Sequence, residues 1–362
     1  TSFTGKLSCI DEKSAVSLKG SVQVLANTES ATGYAFTASG GVPYEVDFTM
    51  QISGGFSAIV ERSGSAYASS TDGRRLLNLP ASKTVTYAGA HTAVLEPATP
   101  TANTVPAGAG WATATVSTTG VMTLAGKLGD GTAFTSALSP DAEAAPGYRL
   151  FLQPYKAART DSYLAGGFSL AAHPSLTSRR YVEQAAMTWK KAGLPADATH
   201  RAGFGPVSTV LMLDPWLPPV AAKGSTPAIT LGQRLSLTGS PTSFSVAHSP
   251  TGSSTNGNLP TSLGLSDKNV VSVLAPVTSP LNSTKWKTLT FKATDGTFTG
   301  SFELADVVGT KTVLRPVTFS GVLRQPALAS DELIGEGHYL MPQLSGTEKS
   351  VGEVMFTRPI TP

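Results

Sequence analysis

The side chains able to do chemistry are few and dispersed. Five histidines (His91, His173, His200, His248 and His338) stand far apart, and no His-Glu-x-x-His segment pairs two of them as metal ligands. Cys9 is the only cysteine, which excludes an intrachain disulfide and a cysteine-based metal cluster. It reads as a small packing side chain. There is no Gly-x-Ser-x-Gly elbow to raise a nucleophile. Gly54-Gly55 and Gly166-Gly167 lack the further glycines and the strand-to-helix setting of a nucleotide loop, and read as turns. Asp130-Gly131 and Asp295-Gly296 offer oxygen ligands that suit calcium, but neither lies in a dedicated calcium loop, and a hairpin turn accounts for each. No cofactor is expected. Glu332 and Glu336 form a carboxylate pair near the C-terminus, read as a charged loop in which both share a local turn. The ligand-binding candidates are aromatic: Trp111, Trp189, Trp216 and Trp286, whose rings would stack on sugars where exposed and anchor a core where buried. For Trp189 the core role is the simpler one.

Composition narrows the partners. The chain has 362 residues, of which 27 are basic and 24 acidic, so the formal charge is only +3 and is scattered along the sequence. Nucleic-acid binding needs a concentrated basic surface, and none is present in the sequence. Only 14% of residues are charged, well below the usual quarter, so Thr, Ser and backbone supply the polarity. That suits strands and turns better than helices, whose exposed faces normally carry many charges. No apolar run is long enough for a transmembrane helix. The opening Thr-Ser-Phe, without Met, reads as a processed or excised segment of a longer protein.

The elements that must position these residues are strands. A short apolar–x–Gly–x–apolar unit recurs: Phe3–Leu7, Leu124–Leu128, Phe298–Phe302 and Phe319–Leu323. In a strand the two apolar residues and the glycine share one face, so the glycine either admits a ring or backbone from a neighbour or marks a bend or bulge. Tyr44, Val46, Phe48 and Met50 alternate as one strand face, with turns expected at Gly54-Gly55 and Asp72-Gly73. Trp111–Val116, Val121–Leu128 and Thr132–Leu138 read as a meander, followed by a strand at Tyr148–Leu152. Ser178–Lys191 has roughly helical spacing, although a strand from Tyr181 also fits, and Gly193-Leu194-Pro195 would stop it. Val207–Leu213, Arg234–Thr238 and Phe244–Ala247 read as strands, and a last set runs from Val270 to Phe356. Trp111 precedes Gly120 much as Trp286 precedes Gly296, which points to degenerate duplication. The expected architecture is therefore all-β: two related antiparallel modules, barrel-like or sandwich-like, with one minor helix. The first spans 1–191 with a possible helix near 178–191, a connection spans 192–232, and the second module spans 233–362.

The segments Trp286–Phe302, Arg315–Leu323 and Gly335–Leu340 resemble a repeated β-rich module of large exported verrucomicrobial and planctomycetal surface or autotransporter-like proteins. Residues 111–138 carry a weaker version. His338 interrupts the Gly-Tyr of that pattern, and Met341-Pro342 departs from its small-residue continuation. The resemblance implies an extracellular or cell-envelope location and no catalytic residues. The expectation is a non-catalytic structural or interaction module whose partner is another protein, copies of itself or a surface polysaccharide. A carbohydrate-binding module is the alternative, and a polysaccharide-active enzyme a more distant one.

Overall fold

The computed structural model describes residues 2–7, 16–24, 30–39, 42–51, 55–62, 68–74, 84–98, 104–141, 146–176, 178–223, 228–237, 242–249, 261–275, 284–325 and 333–358. It divides into two compact units, Thr1–Asn78 with Arg159–Asp161, and Leu79–Ala158 with Ser162–Pro362.

The first unit is a six-stranded antiparallel meander in chain order: β1 (Ser2–Leu7), β2 (Val16–Val24), β3 (Ser30–Ser39), β4 (Val42–Gln51), β5 (Gly55–Arg62) and β6 (Ala68–Arg74). The alternating 44–50 stretch is β4, as its period of two requires. Asp72-Gly73 is not the turn its sequence suggests. Both residues lie inside β6, opposite Ser57 and Phe56 of β5. Cys9 and Gly54 lie outside the described residues.

The second unit contains two rolled sheets built by one rule. The first comprises β7 (Gly89–Pro97), β8 (Gly110–Val116), β9 (Met122–Lys127), β10 (Ala133–Leu138), β11 (Gly147–Leu152), β12 (Tyr163–Ser169), β13 (Ala171–Ala172), β14 (Arg180–Lys191) and β15 (Phe204–Pro215). Eight of these run in the order β10-β9-β8-β7-β15-β14-β12-β11, with β13 paired to β14 off the path. Read around the circle, every strand neighbours its sequence successor, and the first strand pairs with the last through His91↔Pro215 to Pro97↔Thr209. The one open joint, between β10 and β11, is stitched where the Asp141 N–H donates to the Gly147 carbonyl and the Gly147 N–H donates to Asp141 Oδ1 at 2.7 Å. This is a nearly closed eight-stranded barrel, whose closure leaves little free strand edge.

A short helix, α1 (Leu231–Arg234), follows, opened by a reciprocal cap in which Thr230 and Gln233 exchange side chain–backbone hydrogen bonds. It is the only α-helix among the described residues, and it occupies part of the stretch read as a strand at Arg234–Thr238. The second sheet comprises β16 (Thr242–Ser249), β17 (Thr261–Leu265), β18 (Val271–Ala275), β19 (Thr284–Lys292), β20 (Thr297–Val308), β21 (Lys311–Leu323), β22 (Leu333–Pro342) and β23 (Lys349–Thr357). Its order, β18-β17-β16-β23-β22-β21-β20-β19, again joins the first strand to the last, here leaving the joint between β18 and β19. Side chains from Leu263 and Leu265 of β17 round to Phe291 of β19 share one core, so the sheet curls on itself. The chain is thus all-β with an internal two-module repeat.

The recurrent glycine explains how the second core closes. In the β20–β21 ladder Phe298 faces Gly321 and Phe319 faces Gly300, so each ring lies over the other strand's glycine. A Cβ on Gly300 would run into the Phe319 ring, and one on Gly321 into Phe298. The space left by the missing side chains lets Phe298 pack edge-on against Phe356 at 4.7 Å and Phe302 against Tyr339 at 5.6 Å. Tyr339 over Gly352 and Phe356 over Gly335 repeat the device between β22 and β23.

Three parts of the expected organisation differ. The first module expected over 1–191 is divided, because Thr1–Asn78 falls in a compact unit with a sheet of its own. Residues 180–191 form β14, a strand, and not a helix. Its alternation is disguised by a register shift between Val182 and Ala185 and by the inward Lys191. Residues 192–232 are not merely a connection, because β15 lies within them and closes the first barrel.

Candidate functional site

Where the first barrel meets the rolled and still open second sheet (hereafter the second barrel), strands β7 and β8 with Met212 of β15 lie against β21 and β22. Strand alternation turns one set of side chains into each barrel and the other set into this seam. Val94, Ala109, Met212 and Val322 form its apolar centre, with Trp111 and Val210 packed at the side. Trp111 donates from Nε1 to Ser320 Oγ at 3.1 Å, and the His338 ring shares a 3.0 Å hydrogen bond between Nδ1 and the Ala109 carbonyl. Gln325 brackets Leu217 on both backbone groups at 2.9 Å.

The ionisable centre of the seam is Arg324. Its Nε donates to Asp214 Oδ2 at 2.7 Å and its Nη1 to Glu336 Oε1 at 2.9 Å. Asp214 is contributed by β15 and Glu336 by β22, so the guanidinium joins the two barrels. Such charges are tolerable in a dry interior only when paired and hydrogen-bonded. The pairing is incomplete: Glu336 is buried, yet its Oε2 has no hydrogen-bond partner. Burial pushes its carboxyl up to about 7, against the opposing pull of Arg324 and with added repulsion from Glu96 and Asp214. Glu353 is also pushed up to about 7, by burial first and then by Glu336 and Glu96. Arg324 is held well above its ordinary value because the attraction of Asp214 and Glu336 outweighs desolvation. Glu336 therefore belongs to an interior strand and not to a charged loop, and Glu332, its expected partner in a local turn, lies outside the described residues.

The four tryptophans separate. Trp189 and Trp216 are core residues, each with a relative exposure of 2% or less, and cannot offer a stacking face. Trp216 bridges the barrels, packing in the second core and donating to the Ala293 carbonyl at 3.1 Å. Trp189 sits in the first barrel, edge-on to Phe204 at 4.8 Å. Trp111 is half-buried at the seam, and the side chain of Trp286 lies outside the described residues. Among the described residues, therefore, these candidates are not brought together along one groove.

The two Asp-Gly turns are hairpin turns, with Gly131 at φ +87° and Gly296 at φ +76°. Their carboxylates are engaged by lysines: Asp295 by Lys292, with Thr297 donating from both its backbone and its hydroxyl, and Asp130 by Lys191. A calcium ion at either turn would have to displace an ammonium already in place. Among the described residues, no group of three or more His, Cys, Asp and Glu side chains is placed to hold a metal ion.

The Asp130 site ties the β9–β10 turn to the end of β14. Lys191 Nζ lies 3.0 Å from Asp130 Oδ2 and 2.8 Å from Asp197 Oδ2, and donates to the Thr199 carbonyl at 2.7 Å. The Tyr155 hydroxyl donates to Asp130 Oδ2 at 2.7 Å and accepts from Trp189 Nε1 at 3.2 Å, while the Thr132 N–H donates to Oδ1 at 2.9 Å. Burial and the nearby carboxylate push the Tyr155 hydroxyl well above its ordinary value, so it stays a donor. No spacing rule reveals either site, because the Asp130–Lys191 and Asp214–Arg324 partners are joined only by strand pairing.

No family model matches the sequence, and no match was found among curated proteins or solved structures. No helix among the described residues is long and apolar enough to cross a membrane, a statement that does not bear on β-barrel membrane proteins.

Proposed function

We propose that this chain is a non-catalytic structural and interaction module of an exported, surface-associated protein, akin to the exported β-rich bacterial modules that residues 286–356 resemble. The observation that carries this proposal is the seam. The charged side chains Asp214, Arg324 and Glu336 are spent on one another to join two barrels, and are not presented to an open cleft. A double barrel joined in this way would hold its surfaces at fixed spacing, which suits a spacer or presenting element.

Contact with a partner protein or a further copy of the chain falls to the β20–β21 ribbon. Among the described residues, strand β19 pairs with β20 only as far as Leu304, and β22 pairs with β21 only from Thr318. The remaining ribbon turns at Gly309 and exposes Val308, Val313 and Leu314 by 48%, 38% and 57%. Clustered exposed apolar side chains of this kind mark interaction surfaces more often than isolated ones do.

The test is to locate the tagged protein in the cells that make it. Labelling of intact cells by antibody, and removal of the label by added protease, is the expected result. Recovery of the whole population in the cytosolic fraction would overturn the proposal. A Leu314→Asp variant should fold normally and lose partner capture or self-association, whereas unchanged binding to a surface polysaccharide alone would assign contact elsewhere and refute the ribbon's role.

A further inference from the structure

The Lys191 site holds an amine and a carboxyl in reacting positions. Both side chains are fully buried, and Nζ is 3.0 Å from Asp130 Oδ2. The nitrogen is thus already in contact with the carboxyl group whose carbon it would attack, with no diffusion needed to bring the two together. A second carboxylate, Asp197, stands 2.8 Å from the same nitrogen and is partly open to solvent, its side chain 28% exposed. Asp130 Oδ1 is fixed by the Thr132 N–H, and Oδ2 accepts from the Tyr155 hydroxyl as well as from Lys191. The Lys191 ammonium also lies over the Tyr155 ring at 5.0 Å. Further titratable groups in this neighbourhood are Arg201, whose Nε donates to the Asp197 carbonyl, Glu348, which accepts from the Arg201 N–H, and His200, which burial holds below its ordinary value.

We infer that Lys191 and Asp130 condense into an intramolecular isopeptide cross-link, with Asp197 as the proton carrier. The Nζ–Cγ bond forms and the Cγ–Oδ2 bond breaks. Nitrogen gives up two protons, Asp197 relays them, and both end on the departing oxygen, so that one water is the sole by-product. Oδ1 remains as the amide carbonyl, held by the Thr132 N–H. The Thr132 N–H stands where negative charge grows on Oδ1 in the tetrahedral intermediate, as a donor to an oxyanion does, while the Tyr155 hydroxyl donates to the departing Oδ2. No oxidant, cofactor or leaving-group donor is required. Condensation replaces two buried charges, each costly to desolvate, with a neutral amide, and exclusion of water protects that amide from hydrolysis. The link would join the β9–β10 turn to the end of β14, on either side of the open β10–β11 joint.

This inference is independent of where the protein is located. Its test is the intact mass of the full chain, measured denatured so that folding does not enter. The expected mass is that of the sequence less one water, with a branched peptide joining the Asp130 and Lys191 segments after proteolysis. A mass equal to the sequence overturns the inference. Lys191→Arg and Asp197→Asn are each expected to restore the full mass, the first by removing the nucleophile and the second by removing the proton carrier. Loss of water that persists in Lys191→Arg would also overturn the inference, since it would assign the dehydration to ring closure at Asp130-Gly131.

Discussion

Replacing Glu336 by glutamine isolates what the seam's unpaired oxygen does to stability. In the folded chain the carboxyl is pushed from its ordinary 4.5 up to about 7 by burial, with Arg324 pulling the other way. A carboxyl raised on folding binds a proton that the unfolded chain has already released. Its contribution is fully present below about pH 4.5 and is lost as pH rises through about 7. At about 1.4 kcal/mol per unit, this single group makes the fold about 3 kcal/mol less stable at pH 8 than at pH 4.5. Glutamine keeps an acceptor for Arg324 and does not titrate. The measurement is urea unfolding of wild type and Glu336→Gln between pH 5 and 8, followed by the fluorescence of the buried Trp189 and Trp216. The variant's stability relative to wild type should climb with pH by about 3 kcal/mol. The difference is the quantity to read, because buried His91 and His338 titrate in an overlapping window with the opposite sign. Glu353, raised partly by Glu336, should be relieved in the variant and adds in the same direction. A difference that stays flat, or that falls as pH rises, refutes the reasoning.

Other perturbations follow from the same geometry. His338 is pushed down to about 4 by burial, so the stability it contributes is present above pH 6.5 and lost as pH falls towards 4; the thermal midpoint of wild type should decline more steeply over that range than that of His338→Leu. Gly300→Ala sets a methyl group against the Phe319 ring and should cost about 1–3 kcal/mol in chemical denaturation. Gly205→Ala, with nothing within 4 Å of the added carbon, should stay within about 0.5 kcal/mol and serves as its control. Trp216→Ala empties a site shared by both barrels and should cost about 3–5 kcal/mol, well beyond the cost of Trp111→Phe, which mainly gives up one hydrogen bond.

Strand content was legible wherever one strand face carries the apolar residues. The meander at 111–138 and the final strands lie where alternation and the Asp-Gly turns put them, and of the alternatives open for the Phe-x-Gly-x-Phe unit, a ring over the glycine is the one found in β20 and β21. The pattern failed where both faces are buried or where an inward position is charged. In β14, Met187, Trp189 and Lys191 all point inward, but a lysine in that series and a bulge before it erase the period of two. In β22, Glu336 faces the neighbouring barrel, so a residue that read as part of a charged loop is interior. The seam charges were invisible for a different reason. Asp214 and Arg324 are brought together by the folding of strands far apart in sequence, and no local spacing encodes that meeting.

The pairing of first strand with last has a mechanical consequence. In the first barrel Gly89 opens β7 and Pro215 ends β15 at the same end of their shared ladder, and in the second barrel Thr242 and Thr357 stand likewise. Tension applied along the chain would therefore load these antiparallel ladders one rung at a time, parting them like a zipper where shear would strain all rungs together. An amide between Asp130 and Lys191 would stop that parting at a defined point, carrying the load past residues 131–190 and leaving them folded while the closing strands yield.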